Sequence, residues 1–229
     1  MDPWPRAVVF DLDGTLVDTA PDLHVVLNRL LHDYARPPIA LDEVRSMVGD
    51  GARALLERGF AATGGWPRQL DPDYATQSFI DLYSEAPCAR SVTYPGTESV
   101  LNRLAAGGTA MAVCTNKPQR PSVLILDGLG LSRFFPVVVG GDVLPVRKPD
   151  PGHLGAVLDR LGAHPSEAVM IGDSINDVRS ARALGMACIV LRHGYTTVPH
   201  DELGADRLID GFDELEAACR DLARSLASA

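Results

Sequence analysis

From Pro95-Gly96 onward the chain alternates short apolar runs with helical stretches, and that alternation leaves little choice of architecture. A helix over 97–106 leads to Ala110-Met111-Ala112-Val113-Cys114, and a helix near 120–129 precedes Pro136-Val137-Val138-Val139. A helix over 151–162 precedes Ala168-Val169-Met170-Ile171, and one over 176–184 precedes Ala187-Cys188-Ile189-Val190-Leu191. A last short strand near Arg207-Leu208-Ile209 runs into a helix over 212–225. Runs that are apolar throughout, rather than at alternate positions, read as strands buried on both faces. Strands separated by helices pair in parallel, with the helices covering both faces of the sheet.

The first strand stands apart from this series. Val8-Val9-Phe10 has the same buried-strand character, yet the chain beyond it is helical as far as about residue 90. Pro21 suits a first helical turn, and Leu23, Val26, Leu27, Leu30 and Leu31 recur at helical spacing as far as Tyr34. Arg36-Pro37-Pro38 ends that helix. A short helix over 41–48, the turn Gly49-Asp50-Gly51, a helix over 52–62, the break at Gly64-Gly65-Trp66-Pro67 and a helix over 74–85 complete the block. No convincing strand falls between residues 18 and 90. The expected fold class is therefore α/β: a Rossmann-like parallel sheet core wrapped by helices, with an α-helical cap domain inserted after the first strand. Residues 1–17 and 91–229 would form the core and 18–90 the cap, joined by a hinge pair near 16–20 and 86–94.

Bulk properties narrow the function. The chain has 229 residues, 46% of them hydrophobic and 22% charged, as expected of a soluble globular protein with ample core. A net charge of −9 disfavours nucleic acid and anionic membranes as partners. Cys88, Cys114, Cys188 and Cys219 are scattered and form no CxxC pair, which reads as reduced thiols rather than a disulfide framework or a metal cluster. Met1-Asp2-Pro3-Trp4-Pro5-Arg6 lacks a basic segment leading into an apolar one, and no apolar run approaches the ~20 residues that span a bilayer. The expectation is a cytoplasmic protein. Its oligomeric state stays open between monomer and homodimer.

In an open parallel sheet, ligands sit outside the carboxyl ends of the strands. Four strand ends carry polar residues here: Asp11 and Asp13, Thr115 and Asn116, Lys148, and Asp173 with Asp177. If the first strand continues through Asp11, period-2 geometry points Asp11 and Asp13 the same way. Two carboxylates held together need a cation, a proton or a donor between them. Of 21 basic residues only Lys117 and Lys148 are lysine, and both follow strand ends. An ammonium suits a point contact with phosphate. Lys148 sits in the tight connection Arg147-Lys148-Pro149-Asp150, whereas Lys117 could simply cover a helix start. With Ser174 as an N-cap, Asp173 and Asp177 lie on one side of a first helical turn. Asp11, the Asp13 backbone and Asp173 together offer the hard oxygen ligands that Mg²⁺ takes.

Asp11-Leu12-Asp13-Gly14-Thr15, then Thr115-Asn116, Lys148-Pro149 and Gly172-Asp173-Ser174 with Asp177 resemble the four ordered motifs of the haloacid dehalogenase superfamily. The resemblance covers nearly the whole chain and fits members whose helical cap lies between the first and second motifs. It implies that Asp11 is a nucleophile forming an aspartyl-phosphate and that Asp13 is the general acid and then the base for water. It implies further that Thr115, the Asn116 backbone amide and Lys148 hold the phosphoryl group, that Asp11, Asp13 and Asp173 hold Mg²⁺, and that Asp177 orients Lys148 or the metal's water shell. The second aspartate argues against dehalogenase chemistry.

Substrate choice falls to the cap. Gly49-Asp50-Gly51-Ala52-Arg53-Ala54 follows a helix rather than a strand, so it is no dinucleotide fingerprint. It reads as a cap turn facing the core, with Arg53 near a substrate carboxylate, or as a plain turn with a solvated arginine. Val48-Gly49-Asp50-Gly51-Ala52, Thr19-Ala20-Pro21-Asp22-Leu23 and Gly204-Ala205-Asp206-Arg207-Leu208-Ile209-Asp210 are most similar to bacterial phosphoglycolate phosphatases. The implied reaction is Mg²⁺-dependent hydrolysis of a small phosphorylated metabolite, with 2-phosphoglycolate at its head. A sugar phosphate or nucleotide substrate, and phosphoryl transfer of the phosphoglucomutase type, remain open. A non-catalytic phosphate binder is disfavoured, since it gains nothing from aiming two carboxylates at an anion.

Overall fold

The computed structural model describes residues 4–226, so Met1-Asp2-Pro3 of the N-terminal reading lie outside the described residues. In chain order the strands are β1 (Ala7–Phe10), β2 (Val17–Asp18), β3 (Val92–Thr93), β4 (Ala110–Cys114), β5 (Val137–Val139), β6 (Ala168–Gly172), β7 (Ala187–Leu191) and β8 (Arg207–Ile209). The helices are α1 (Ala20–Asp33), α2 (Leu41–Met47), α3 (Ala52–Ala62), α4 (Pro72–Glu85), α5 (Thr97–Ala106), α6 (Gln119–Gly128), α7 (Pro151–Leu161), α8 (Ile175–Ala183) and α9 (Leu215–Leu226). None of the described helices is long and apolar enough to cross a membrane.

Six strands form one parallel sheet in the order β5-β4-β1-β6-β7-β8. The first strand thus lies in the middle, with Phe10 level with Val113 on one side and Ile171 on the other. Alternation is present after all, hidden because both faces are dry. Val8, Phe10, Val113 and Ile171 join the core under α5 and α9, while Val9, Ala112, Cys114 and Met170 join the core under α7 and α8. This is the physical reason the strands read as unbroken apolar runs.

The helices obey local rules. Asp71 accepts from the amides of Asp73 and Tyr74 ahead of Pro72 at the start of α4, and Asp150 caps α7 ahead of Pro151 in the same way. Gly162 ends α7 with φ 64°, in the left-handed region. The last helix starts at Leu215 rather than Phe212, because 211–214 form a turn that sends Phe212 into the core against Phe10.

The four helices between β1 and β3 pack on one another through Leu27, Leu31, Leu56, Phe60 and Phe79, all essentially inaccessible. Burying each such side chain stabilises by roughly 1.5–3 kcal/mol. Gly59 permits the approach of α3 to α1, since a Cβ there would come 2.9 Å from Leu27 Cδ1. The chain passes into and out of this block through the antiparallel ribbon β2–β3, with Val17 opposite Thr93. Strands of two residues carry no readable period, which is why the sequence shows none there. Asp22, buried in the first turn of α1, binds the returning chain: its Oδ2 accepts from Ser91 N at 2.7 Å, Ser91 Oγ at 2.6 Å and Arg90 N at 3.0 Å. Asp22→Ala strands those buried donors and is expected to lower the unfolding free energy by about 2–3 kcal/mol in urea titrations. A loss below about 0.5 kcal/mol would show that Asp22 is not the clasp.

Candidate active site

The sheet brings the polar strand ends to one place. Asp11 extends the β1–β6 pairing by one residue, its amide donating to Ile171 O at 2.9 Å. The chain then turns sharply, the Leu12 carbonyl accepting from Leu16 and Val17 amides at 3.1 Å. Gly14 takes φ 82°, and any Cβ at that position would meet Asp173 Oδ2 at 2.4 Å, so glycine is needed for two separate reasons.

Lys148 lies at the centre. Its Nζ donates to Asp11 Oδ1 at 2.8 Å and to Asp177 Oδ1 at 2.7 Å, and all three side chains are buried. The second oxygen of Asp177 is occupied by Ser174 Oγ at 2.7 Å and the Ser174 amide at 3.1 Å, a capping arrangement at the start of α8. Asp173 Oδ2 accepts from the Tyr195 amide at 2.7 Å, and its Oδ1 from Thr15 Oγ1 at 3.3 Å. Oxygens of Asp11, Asp173 and Asp177 lie within 4.8 Å of one another.

Such crowding shifts the protonation equilibria. Burial pushes the Asp11 carboxyl up to about 6, with Lys148 pulling it back and Asp177 adding to the rise. Burial followed by the charges of Asp11 and Asp177 holds Asp173 well above the usual carboxylate range. Burial disfavours the Lys148 ammonium, but Asp11 and Asp177 outweigh it and leave its pKa raised.

Asp13 has partners of its own. It accepts from Thr19 Oγ1 at 2.7 Å and from Lys117 Nζ at 3.1 Å on both oxygens. Lys117 is therefore a buried ion-pair partner instead of the cover of a helix start. Its lysine identity in an arginine-rich chain was the available signal; its partner was not readable. Thr115 lies beside Lys117, whose amide donates to Thr115 Oγ1 at 3.2 Å, leaving that hydroxyl a proton to offer. Asn116 Nδ2 spans the seam between the two halves, donating to Lys148 O at 2.9 Å and Gly49 O at 3.0 Å. Asn176 Nδ2 adds a bond to Asp50 Oδ1 at 2.7 Å, so the 49–51 turn faces the core. Arg53 is not brought to the cluster. Its guanidinium is held outside by Asp73 at 2.6 Å and Glu57 at 3.1 Å, because it lies on the exposed side of α3.

A divalent cation fits this site. Asp11, Asp173 and Asp177 carry three formal charges against the one of Lys148, while Asp13 and Lys117 balance each other. The excess is two negative charges in a buried pocket of hard oxygen donors, which a divalent ion neutralises. Asp177 accepts four hydrogen bonds, three of them on one oxygen, whereas Asp173 accepts two and Asp11 one, so Asp11 and Asp173 are the carboxylates with more capacity left for the ion.

A family model for haloacid dehalogenase-like hydrolases matches residues 5–185. The chain is 46% identical over 215 residues to a phosphoglycolate phosphatase of Caulobacter vibrioides, covering 93% of this chain and 90% of the relative. It is 44% identical over 215 residues to one of Rhodospirillum rubrum, covering 92% and 89%. Among solved structures, a predicted phosphoglycolate phosphatase from Haemophilus somnus superposes with a TM-score of 0.87 at 31% identity, over 93% of this chain and 96% of that one. The chain belongs to the haloacid dehalogenase-like hydrolases and is a phosphoric monoester hydrolase.

Proposed function

We propose that the protein is a cytoplasmic, Mg²⁺-dependent phosphatase that hydrolyses 2-phosphoglycolate to glycolate and phosphate through an aspartyl-phosphate. The observation that carries the reading is the separation of the two strand-end carboxylates between two ammonium groups. Lys148 holds Asp11, and Lys117 holds Asp13, so the pair is divided into two chemical jobs. The names of the similar phosphatases support the substrate, and so does the cavity beside the carboxylates. Its cap-side walls, Leu23, Val48, Leu55, Phe79 and Ile80, are apolar and offer no hydrogen-bonding side chain for the hydroxyls of a sugar or the base of a nucleotide. Four free cysteines, three of them buried, suit a reducing compartment.

Asp11 attacks phosphorus in line with the departing alkoxide, and the P–O bond to the alcohol breaks as the bond to Asp11 forms. Asp13, a carboxylate in its pair with Lys117, takes up the proton carried by an entering phosphate monoanion and gives it to the departing oxygen, then as carboxylate takes one from the water that displaces Asp11. Lys148, positioned by Asp177, offsets charge between Asp11 and the phosphoryl oxygens, and the Thr115 hydroxyl and Asn116 amide hold those oxygens. Mg²⁺, held by Asp11, the Asp13 carbonyl and Asp173, supplies the positive charge that lets two anions meet. The β2–β3 ribbon serves as the hinge between a core of 1–17 and 91–229 and a cap of 18–90.

Two outcomes are expected. Mg²⁺-dependent phosphate release from 2-phosphoglycolate falls at least 10³-fold in Asp11→Asn, which retains the shape but not the nucleophile; equal rates would remove Asp11 from the chemistry. Titration calorimetry of the metal-free protein with Mg²⁺ at pH 6, in buffers of different ionisation heat, shows proton release, because the ion favours the ionised forms of Asp11 and Asp173. Affinity rises by about tenfold from pH 5 to pH 7. The metal-free protein carries the opposite trend in stability. Asp11, raised from 3.8 to about 6, stabilises the fold below pH 3.8 and loses that contribution as pH rises through 6. No proton release at pH 6 would mean that these carboxylates are already ionised.

A further inference from the structure

Lys117 has no part in that chemistry beyond its contact with Asp13, yet its position is a costly one. Its side chain is 3% exposed, and an ammonium removed from water must be compensated fully. Its three N–H groups have one hydrogen-bonded partner among the described residues, the Asp13 carboxylate. Thr19 already holds Asp13 at 2.7 Å, so anchoring that carboxylate does not by itself require a lysine.

The ammonium opens on the cavity between core and cap. Leu23, Val48, Leu55, Phe79 and Ile80 supply apolar walls, and Lys117 is the single cation among the lining side chains, facing Asp11 and Asp13. From the cap, the Tyr83 ring covers it, with Nζ 4.4 Å from the ring centroid. Of the other nearby cations, Lys148 is bonded to Asp11 and Asp177, Arg58 to Asp50 and Met47 O, and Arg53 to Glu57 and Asp73, while Arg147 lies beside Gly51 and does not line the cavity.

Resting on the phosphatase reading, we propose that Lys117 is the residue that sets substrate specificity, by binding the carboxylate of a phosphorylated two- or three-carbon hydroxy acid. The reach fits. Asp13 must lie against the ester oxygen to protonate it, and Lys117 Nζ is 3.1 Å from both Asp13 oxygens. An anionic group one carbon beyond the ester oxygen is then close enough to share the ammonium with Asp13 through its remaining N–H. A neutral tail leaves the ammonium without a second anion, and a longer one meets the apolar walls. Since Tyr83 comes from the cap, the subsite is complete only with the cap seated.

The test compares 2-phosphoglycolate with ethyl phosphate, which replaces the carboxylate by a methyl group, using native protein and Lys117→Met with Mg²⁺. Both kcat/KM values are expected to fall, since Asp13 loses a partner. That for 2-phosphoglycolate falls about 100-fold, mainly through KM, and at least ten times further than that for ethyl phosphate. Lys117→Arg, which keeps a cation, retains part of the preference. A parallel fall for both esters would mean that Lys117 acts only through Asp13, and an undiminished preference would place the carboxylate elsewhere; either overturns the proposal. A second measurement does not depend on turnover. Calorimetric binding of 2-phosphoglycolate to Asp11→Asn with Mg²⁺ weakens at least tenfold when Lys117→Met is added, and equal affinities would overturn the proposal. If native protein hydrolyses neither ester, the phosphatase reading fails, while this binding comparison still decides the role of Lys117.

Discussion

Three buried carboxylates within reach of one another would drive the carboxyl end of the sheet apart if nothing answered their charge. The single ammonium of Lys148, bonded to two of them, is the contact on which that end of the molecule depends. Its surroundings reflect the need to hold it still. Ser174 and two backbone amides fix Asp177, the Tyr195 amide and Thr15 hydroxyl fix Asp173, and Gly14 and Gly194 leave room for the Asp173 side chain. At Gly194 a Cβ would stand 2.0 Å from that of Asp173. With three carboxylates answered by one ammonium, the site has room in its charge balance for one divalent cation.

The helical block completes the other side of the cavity. Its apolar core is continuous with one face of the sheet, yet its polar contacts with the polar strand ends are few and directional. Asn116 and Asn176 each reach the 49–51 turn, and Arg45 and Tyr195 meet on Asp18 at the ribbon. Tyr195 is a bridge between two concerns: its amide holds Asp173 and its hydroxyl holds Asp18. The Asp173 carboxylate and the ribbon beneath the helices are thus one residue apart in the bonding network.

Most of the architecture was legible because strands dry on both faces and amphipathic helices leave different periods in the sequence. Polar strand ends were legible as a site because an open parallel sheet gathers them. What the sequence could not carry was pairing. Lys117 and Asp13 are 104 residues apart, and nothing local distinguishes an ion pair from a helix cover. Tyr195 reaches Asp173 through a backbone amide, for which any residue type would serve. Arg53 illustrates the converse, since a cation in a turn that faces the site was itself turned outward by two neighbouring carboxylates. The β2–β3 ribbon was too short to leave a pattern.

The place of β1 in the middle of the sheet has a consequence for how the molecule comes into being. Its neighbours begin at Ala110 and Ala168, and the bond from Thr15 to Asp173 spans 158 residues. The helices between can gather from local contacts long before that, but β1 has no partner until about half of the chain exists, and its second only after residue 168. During synthesis from the amino terminus, Asp11 is therefore made among the first residues and meets Lys148 and Asp173 only once the chain has passed residue 173. An unfinished chain holds Asp11 without Lys148 or Asp173, a carboxylate outside any cluster. Assembly of the carboxylate cluster and completion of the central sheet are, by topology, the same event.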